Sequence, residues 1–133
     1  MHKLLLVSAA YLALAACTST GAPSPSPSTA SMNVAFKWCG ASPEFTIGNV
    51  PAATRSLNFR MLDRMAPSYQ HGGGTVPYTG KGSASVPCGA LTGGYNGPSP
   101  PPPQVHEYEW TVTALDSSGV TLAVGKAMRK FPE

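Results

Sequence analysis

Tyr108-Glu109-Trp110-Thr111-Val112-Thr113-Ala114-Leu115 alternates apolar and polar side chains without a break. Tyr108, Trp110, Val112 and Ala114 fall on one face, and Glu109, Thr111 and Thr113 on the other. A period of two over this length is the mark of a β-strand with one buried face. Asp116-Ser117-Ser118-Gly119 then reads as a turn, and Val120 to Met128 as the returning partner strand. Moving outward, Ser56 to Asp63 alternates in the same way, with Leu57, Phe59 and Met61 on one side and Asn58 and Arg60 on the other. Val34, Phe36 and Trp38 alternate with Ala35 and Lys37. No segment has the spacing of a long amphipathic helix, and there is no internal repeat. The expectation is an all-β domain, a sandwich or a strongly twisted sheet. Two stretches interrupt the pattern. His71-Gly72-Gly73-Gly74 reads as a flexible loop that brings backbone close to something. Gly93-Gly94-Tyr95-Asn96-Gly97-Pro98-Ser99, followed by Pro100 to Pro103, begins permissive and ends stiff. Consecutive prolines cannot donate to a ladder, and their fixed φ makes a rigid wall on an edge or in a loop.

Composition limits the alternatives. At 133 residues the chain has room for one domain. Charged residues make up 11%, Gly and Pro number 14 each, and the formal charge is +3. Lys and Arg are scattered, which argues against nucleic-acid binding, where a basic stripe is needed. Arg55, Arg60, Arg64, Lys126, Arg129 and Lys130 read most simply as a solvated face. Of the three cysteines, Cys39 and Cys88 form a pair. An oxidising compartment would allow a disulfide between them, the favoured reading, with two buried free thiols as the alternative that spacing alone leaves open.

Met1-His2-Lys3, the apolar run Leu4 to Leu14, and Leu14-Ala15-Ala16-Cys17 follow the order of a secretory signal ending in a cysteine. The run is too short to span a bilayer, which takes about 20 helical residues. Leu-Ala-Ala-Cys resembles the lipobox of bacterial lipoproteins, which implies that residues 1–16 are a signal peptide and that the Cys17 thiol carries acyl chains. Losing Lys3 would lower the charge to +2. Residues 17–31, rich in alternating Pro and Ser, have nothing to bury and read as an extended tether. The folded domain is expected over 32–133. The implied location is the cell envelope, lipid-anchored in the bilayer. Thr18 in place of an aspartate favours the outer membrane facing the periplasm.

A further set of landmarks stands in a recognisable order. Leu62-Asp63-Arg64-Met65-Ala66-Pro67 is followed by His71. Later, Gly97-Pro98-Ser99-Pro100-Pro101 leads to His106-Glu107-Tyr108 and Ala114-Leu115-Asp116, with Ser42-Pro43 and Val50-Pro51 upstream. In these motifs the chain resembles the phosphatidylethanolamine-binding protein family, in its bacterial Raf-kinase-inhibitor-like branch. The resemblance implies a central β-sheet packed on a smaller one and a shallow anion-binding pocket. By the matching positions, Asp63, Pro67, His71, Gly97, Pro98, Pro101, His106 and Tyr108 would line it. The chemistry suits an anion: a phenolic O–H, ring N–H donors and a glycine that exposes backbone. Binding is expected to tighten as the imidazoles become cationic. Asp63 is expected to orient a histidine or Arg64, or to cap a turn. Two departures are plain: Met65 replaces the family's second acidic residue, and Gly72 to Gly74 stand where a tryptophan normally follows the histidine. A shallower, more open pocket is therefore expected.

The implied function is a membrane-anchored protein that binds a small anion, phosphate or a phosphate-bearing headgroup. The alternative is an envelope structural or partner-binding lipoprotein whose pocket is non-functional. No Gly-x-Ser-x-Gly elbow or nucleophile–base pair is present, so no enzyme is expected. No cofactor is expected either, and the spacing of Asp63, His71 and His106 matches no standard metal motif.

Overall fold

The computed structural model describes Gly21 and residues 29–133, a region built of strands with no helix among the described residues. The signal peptide expected over 1–16 and the lipidated Cys17 lie outside the described residues, as does most of the tether. Ala30 and Ser31, read as the end of that tether, form a short first strand, so the folded part begins before Met32.

Eight strands make two sheets. In chain order they are β1 (Ala30–Ser31), β2 (Asn33–Lys37), β3 (Glu44–Gly48), β4 (Ser56–Asp63), β5 (Gly73–Pro77), β6 (Ser83–Val86), β7 (His106–Leu115) and β8 (Thr121–Phe131). The larger sheet has the order β1-β8-β7-β4-β5 and the smaller one β2-β3-β6. All pairings are antiparallel except β1, which lies parallel to β8 with Ala30 opposite Ala123.

The alternation explains the packing. Leu57, Phe59 and Met61 of β4 and Tyr108, Trp110, Val112 and Ala114 of β7 all turn inward and are buried. Phe36, Phe45, Ile47 and Val86 of the smaller sheet meet them. Phe45 sits 4.8 Å from Phe59 and 5.0 Å from Trp110, ring centre to ring centre. Each such fully buried large side chain contributes about 1.5–3 kcal/mol. The Asp116 turn is held by its own carboxylate, which accepts from the amides of Ser118 at 2.8 Å and Val120 at 2.9 Å. Not every basic side chain is free in solvent: Arg129 donates to the Phe36 carbonyl at 3.2 Å and so ties one sheet to the other.

The glycine run departs from expectation. Gly73 and Gly74 are not a flexible loop but the start of β5, paired with Arg60 and Phe59. The close approach is real. Gly72 has φ +72°, and a Cβ there would lie 1.9 Å from the Gly94 carbonyl oxygen, which crosses directly over it. Gly72→Ala is therefore expected to destabilise the fold by about 1–3 kcal/mol, measurable as a lower denaturant midpoint. An unchanged midpoint would show that the crossing segment yields freely.

Cys39, just past β2, and Cys88, just past β6, are joined in a disulfide with Cα atoms 6.3 Å apart. It connects the ends of the two outer strands of the smaller sheet. The same corner is held by Gly89 and Leu91, whose amides donate to the Ser42 carbonyl and hydroxyl.

Candidate functional site

Sheet register assembles one end of the domain. Asp63, the last residue of β4, is the cross-strand partner of Tyr108 on β7. His106 is two residues earlier on the same face of β7, hence diagonal to Asp63. The Asp63 carboxylate uses both oxygens. One accepts from the Met65 and Ala66 amides at 2.8 and 3.1 Å, turning the chain out of the strand. The other accepts from His106 Nδ1 at 2.6 Å. Asp63 thus both caps a turn and orients a histidine. Arg64 pairs instead with Glu109 at 3.2 Å.

Asp63 is 3% exposed and His106 7%. Burial pushes the Asp63 carboxyl up, but the hydrogen bonds from His106, Met65 and Ala66 outweigh it and hold the group below its usual 3.8. Tyr108 is pushed up to about 12, first by burial and then by the neighbouring Asp63 carboxylate, with the Ser99 amide acting in the opposite direction. Its hydroxyl therefore stays protonated across the physiological range.

His71 is buried as well. Its Nδ1 donates to the Asn96 carbonyl at 2.8 Å, and the Asn96 amide returns a bond to the His71 carbonyl at 2.8 Å. That fixes the ring and leaves Nε2 without a protein partner among the described residues. The ring lies edge-on to Tyr108 at 5.4 Å and beside Tyr69 at 4.5 Å.

These groups border one hollow of about 280 Å³, lined by Asp63, His71, Gly97, Pro101, His106 and Tyr108, with Ala66, Tyr69, Ser99 and Pro100 completing its rim. Of the residues expected to line a pocket, two lie elsewhere. Pro67 is exposed beyond the turn after β4, and Pro98 lines a neighbouring hollow. In the wall from Gly97 to Pro103 only Gly97 and Ser99 carry an N–H, so backbone donors there are few.

Sequence reading missed Gln104. Its Oε1 lies 2.7 Å from His106 Nε2, on the side away from Asp63. With both ring nitrogens facing oxygens, the arrangement is that of an imidazolium donating twice; a turned Gln104 amide would suit a neutral ring instead. Tyr69 was missed too. Among the described residues no cluster of three His, Cys, Asp or Glu side chains is arranged to hold a metal, and no helix is long and apolar enough to cross a membrane. A separate hollow of about 320 Å³ between β5 and β6 is lined by residues such as Leu57, Val76 and Ser83, without a charged side chain.

No protein-family model matches the chain, and no curated protein matches it in sequence.

Proposed function

We propose that the chain is a lipid-anchored protein of the bacterial cell envelope, akin to the phosphatidylethanolamine-binding family, that holds a small anion such as phosphate or a phosphate-bearing headgroup. The observation that carries this reading is the convergence of the Asp63–His106 pair, the Tyr108 hydroxyl and the free Nε2 of His71 on one hollow. A tetrahedral oxyanion accepts from such donors, His71 Nε2 serving as one when the ring, whose Nδ1 already donates to Asn96, carries a second proton, and the anion's charge strengthens each bond. Asp63 does not face the anion as a ligand. Its role is to fix the His106 ring and offset its charge. The Leu14-Ala15-Ala16-Cys17 sequence supports anchoring through acyl chains, each buried CH₂ adding about 0.8 kcal/mol of membrane affinity.

One observation favours the second reading, a partner-binding lipoprotein with a non-functional pocket. Gln104 already occupies His106 Nε2, the nitrogen an anion would seek. Titrating inorganic phosphate and phosphoethanolamine against the protein separates the two. Ring resonances of His71, His106 and Tyr108 are expected to shift at millimolar ligand, and Gln104→Ala is expected to tighten binding by releasing Nε2. No shift in either wild type or Gln104→Ala would leave the partner-binding reading.

A further inference from the structure

A second hollow, of about 430 Å³, opens beside the first and shares Gly97 with it. Its character is different. Trp38, Tyr95, Pro98 and Phe131 form its walls, and no charged side chain lines it. The one polar atom of Trp38, Nε1, is spent on the Lys130 carbonyl at 2.8 Å, so the indole presents only apolar surface. The Tyr95 hydroxyl is sealed from solvent without a hydrogen-bond partner among the described residues, and burial pushes it up to about 12, which keeps that wall uncharged. Trp38 stands edge-on to Phe131 at 5.5 Å and to Tyr108 at 5.8 Å. Tyr108 itself borders the first hollow. The polar and the aromatic chambers thus adjoin through the Trp38–Tyr108 ring pair and share Gly97, a residue with no side chain, at their boundary.

We infer that the two hollows form one bipartite site, the second half receiving an apolar ring covalently attached to the acidic group held in the first. This rests on the anion-binding reading of the first hollow. A ring suits the chamber better than a flexible alkyl chain, because aromatic walls reward edge and face contacts beyond the area buried. Space is sufficient, since a cavity of about 150 Å³ already takes benzene. Gly97 is the saddle over which the ligand crosses. A Cβ there would lie 3.7 Å from the Tyr95 hydroxyl, ordinary contact, so a side chain can be added without breaking the fold.

The test compares inorganic phosphate with phenyl phosphate on the full-length chain, by titration calorimetry and by the Trp38 indole resonance. Phenyl phosphate is expected to bind at least about tenfold tighter, the gain from removing about 60 Å² of ring surface from water. Phe131→Leu, which touches only the aromatic hollow, is expected to abolish that advantage while leaving phosphate affinity unchanged, and Gly97→Val, which narrows the boundary the two hollows share, is expected to weaken phenyl phosphate more than phosphate until the advantage is gone. Equal affinities for the two probes in wild type would overturn the bipartite site but not anion binding. An advantage that survives both variants would place the ring elsewhere and likewise overturn it. Tighter binding of phosphocholine than of phenyl phosphate would assign the aromatic chamber to a cation instead. Phosphate failing while phenyl phosphate binds, with the loss in both variants, would sink the phosphate reading and keep the ring chamber. Failure of both probes would sink both.

Discussion

Replacing Asp63 with alanine is expected to cost about 3–5 kcal/mol of folding stability. The carboxylate is almost wholly buried and accepts from the His106 ring and two amides. Its loss strands three donors at the end of β4. Asp63→Asn is the informative companion, because a carbonyl oxygen in the same place keeps the Met65 and Ala66 amides satisfied, while its NH2 replaces the charged acceptor that faces His106 Nδ1. It is expected to cost less than alanine. The pH dependence has a definite sign. The folded carboxyl titrates below its ordinary 3.8. Its contribution is therefore complete above the unfolded value and disappears as pH falls through the folded one. The gap in stability between wild type and Asp63→Asn should narrow progressively below about pH 4. Urea titrations from neutral to acid conditions measure this, and a gap that widens toward acid would contradict the assigned pairing.

The second large effect belongs to Cys39 and Cys88. The bridge closes a loop with a sequence separation of 49, which in the chain-entropy account contributes about 4 kcal/mol. For a domain of this size that corresponds to a fall in Tm of about 20 °C on reduction. The damage should also be local. Trp38 immediately precedes Cys39, and the loop from Cys39 to Ala41 lines the aromatic hollow. Thermal melts with and without reductant, with free thiols counted, test the first point. Coincident melts in fully reduced and oxidised samples would refute it.

Much of the larger sheet was legible from residues alone. Leu57, Phe59 and Met61 marked β4 with its observed ends, and the run from Tyr108 to Leu115 marked β7 apart from its first two residues. Those strands bury one face against a core, so their side chains record the period directly. β3, β5 and β6 were not foreseen. β5 and β6 are short and rich in Gly, Ser and Ala, so their identity comes from the partner they pair with and not from their own pattern. β1 is two residues long and pairs only because β8 leaves an edge free.

The site divides in the same way. Asp63, His71, His106 and Tyr108 were selected by their order along the chain, and the strand register brings them together. Gln104 was invisible because its contact depends on how the turn from Pro101 to Gln104 closes, with the Gln104 amide donating to the Pro101 carbonyl at 2.9 Å. Pro98 was grouped with Pro101 because both stand in the Gly-Pro-x-Pro-Pro motif, yet the two border different hollows. The disulfide could be named as a pair but not decided, since only the fold brings two Cα atoms within range.

The long connection from Pro87 to Val105 between β6 and β7 bears on how the chain withstands digestion. An exposed stretch of that length is where a protease ordinarily nicks a small domain. Here its second half is Pro98 and Pro100 to Pro103, whose locked backbone resists the extended, reshaped conformation that a hydrolytic cleft demands. The exposed bonds around Thr92 to Gly94, in the glycine-bearing first half, are where a cut is expected. A cut there would leave the proline wall attached to β7, standing against His106 and Tyr108.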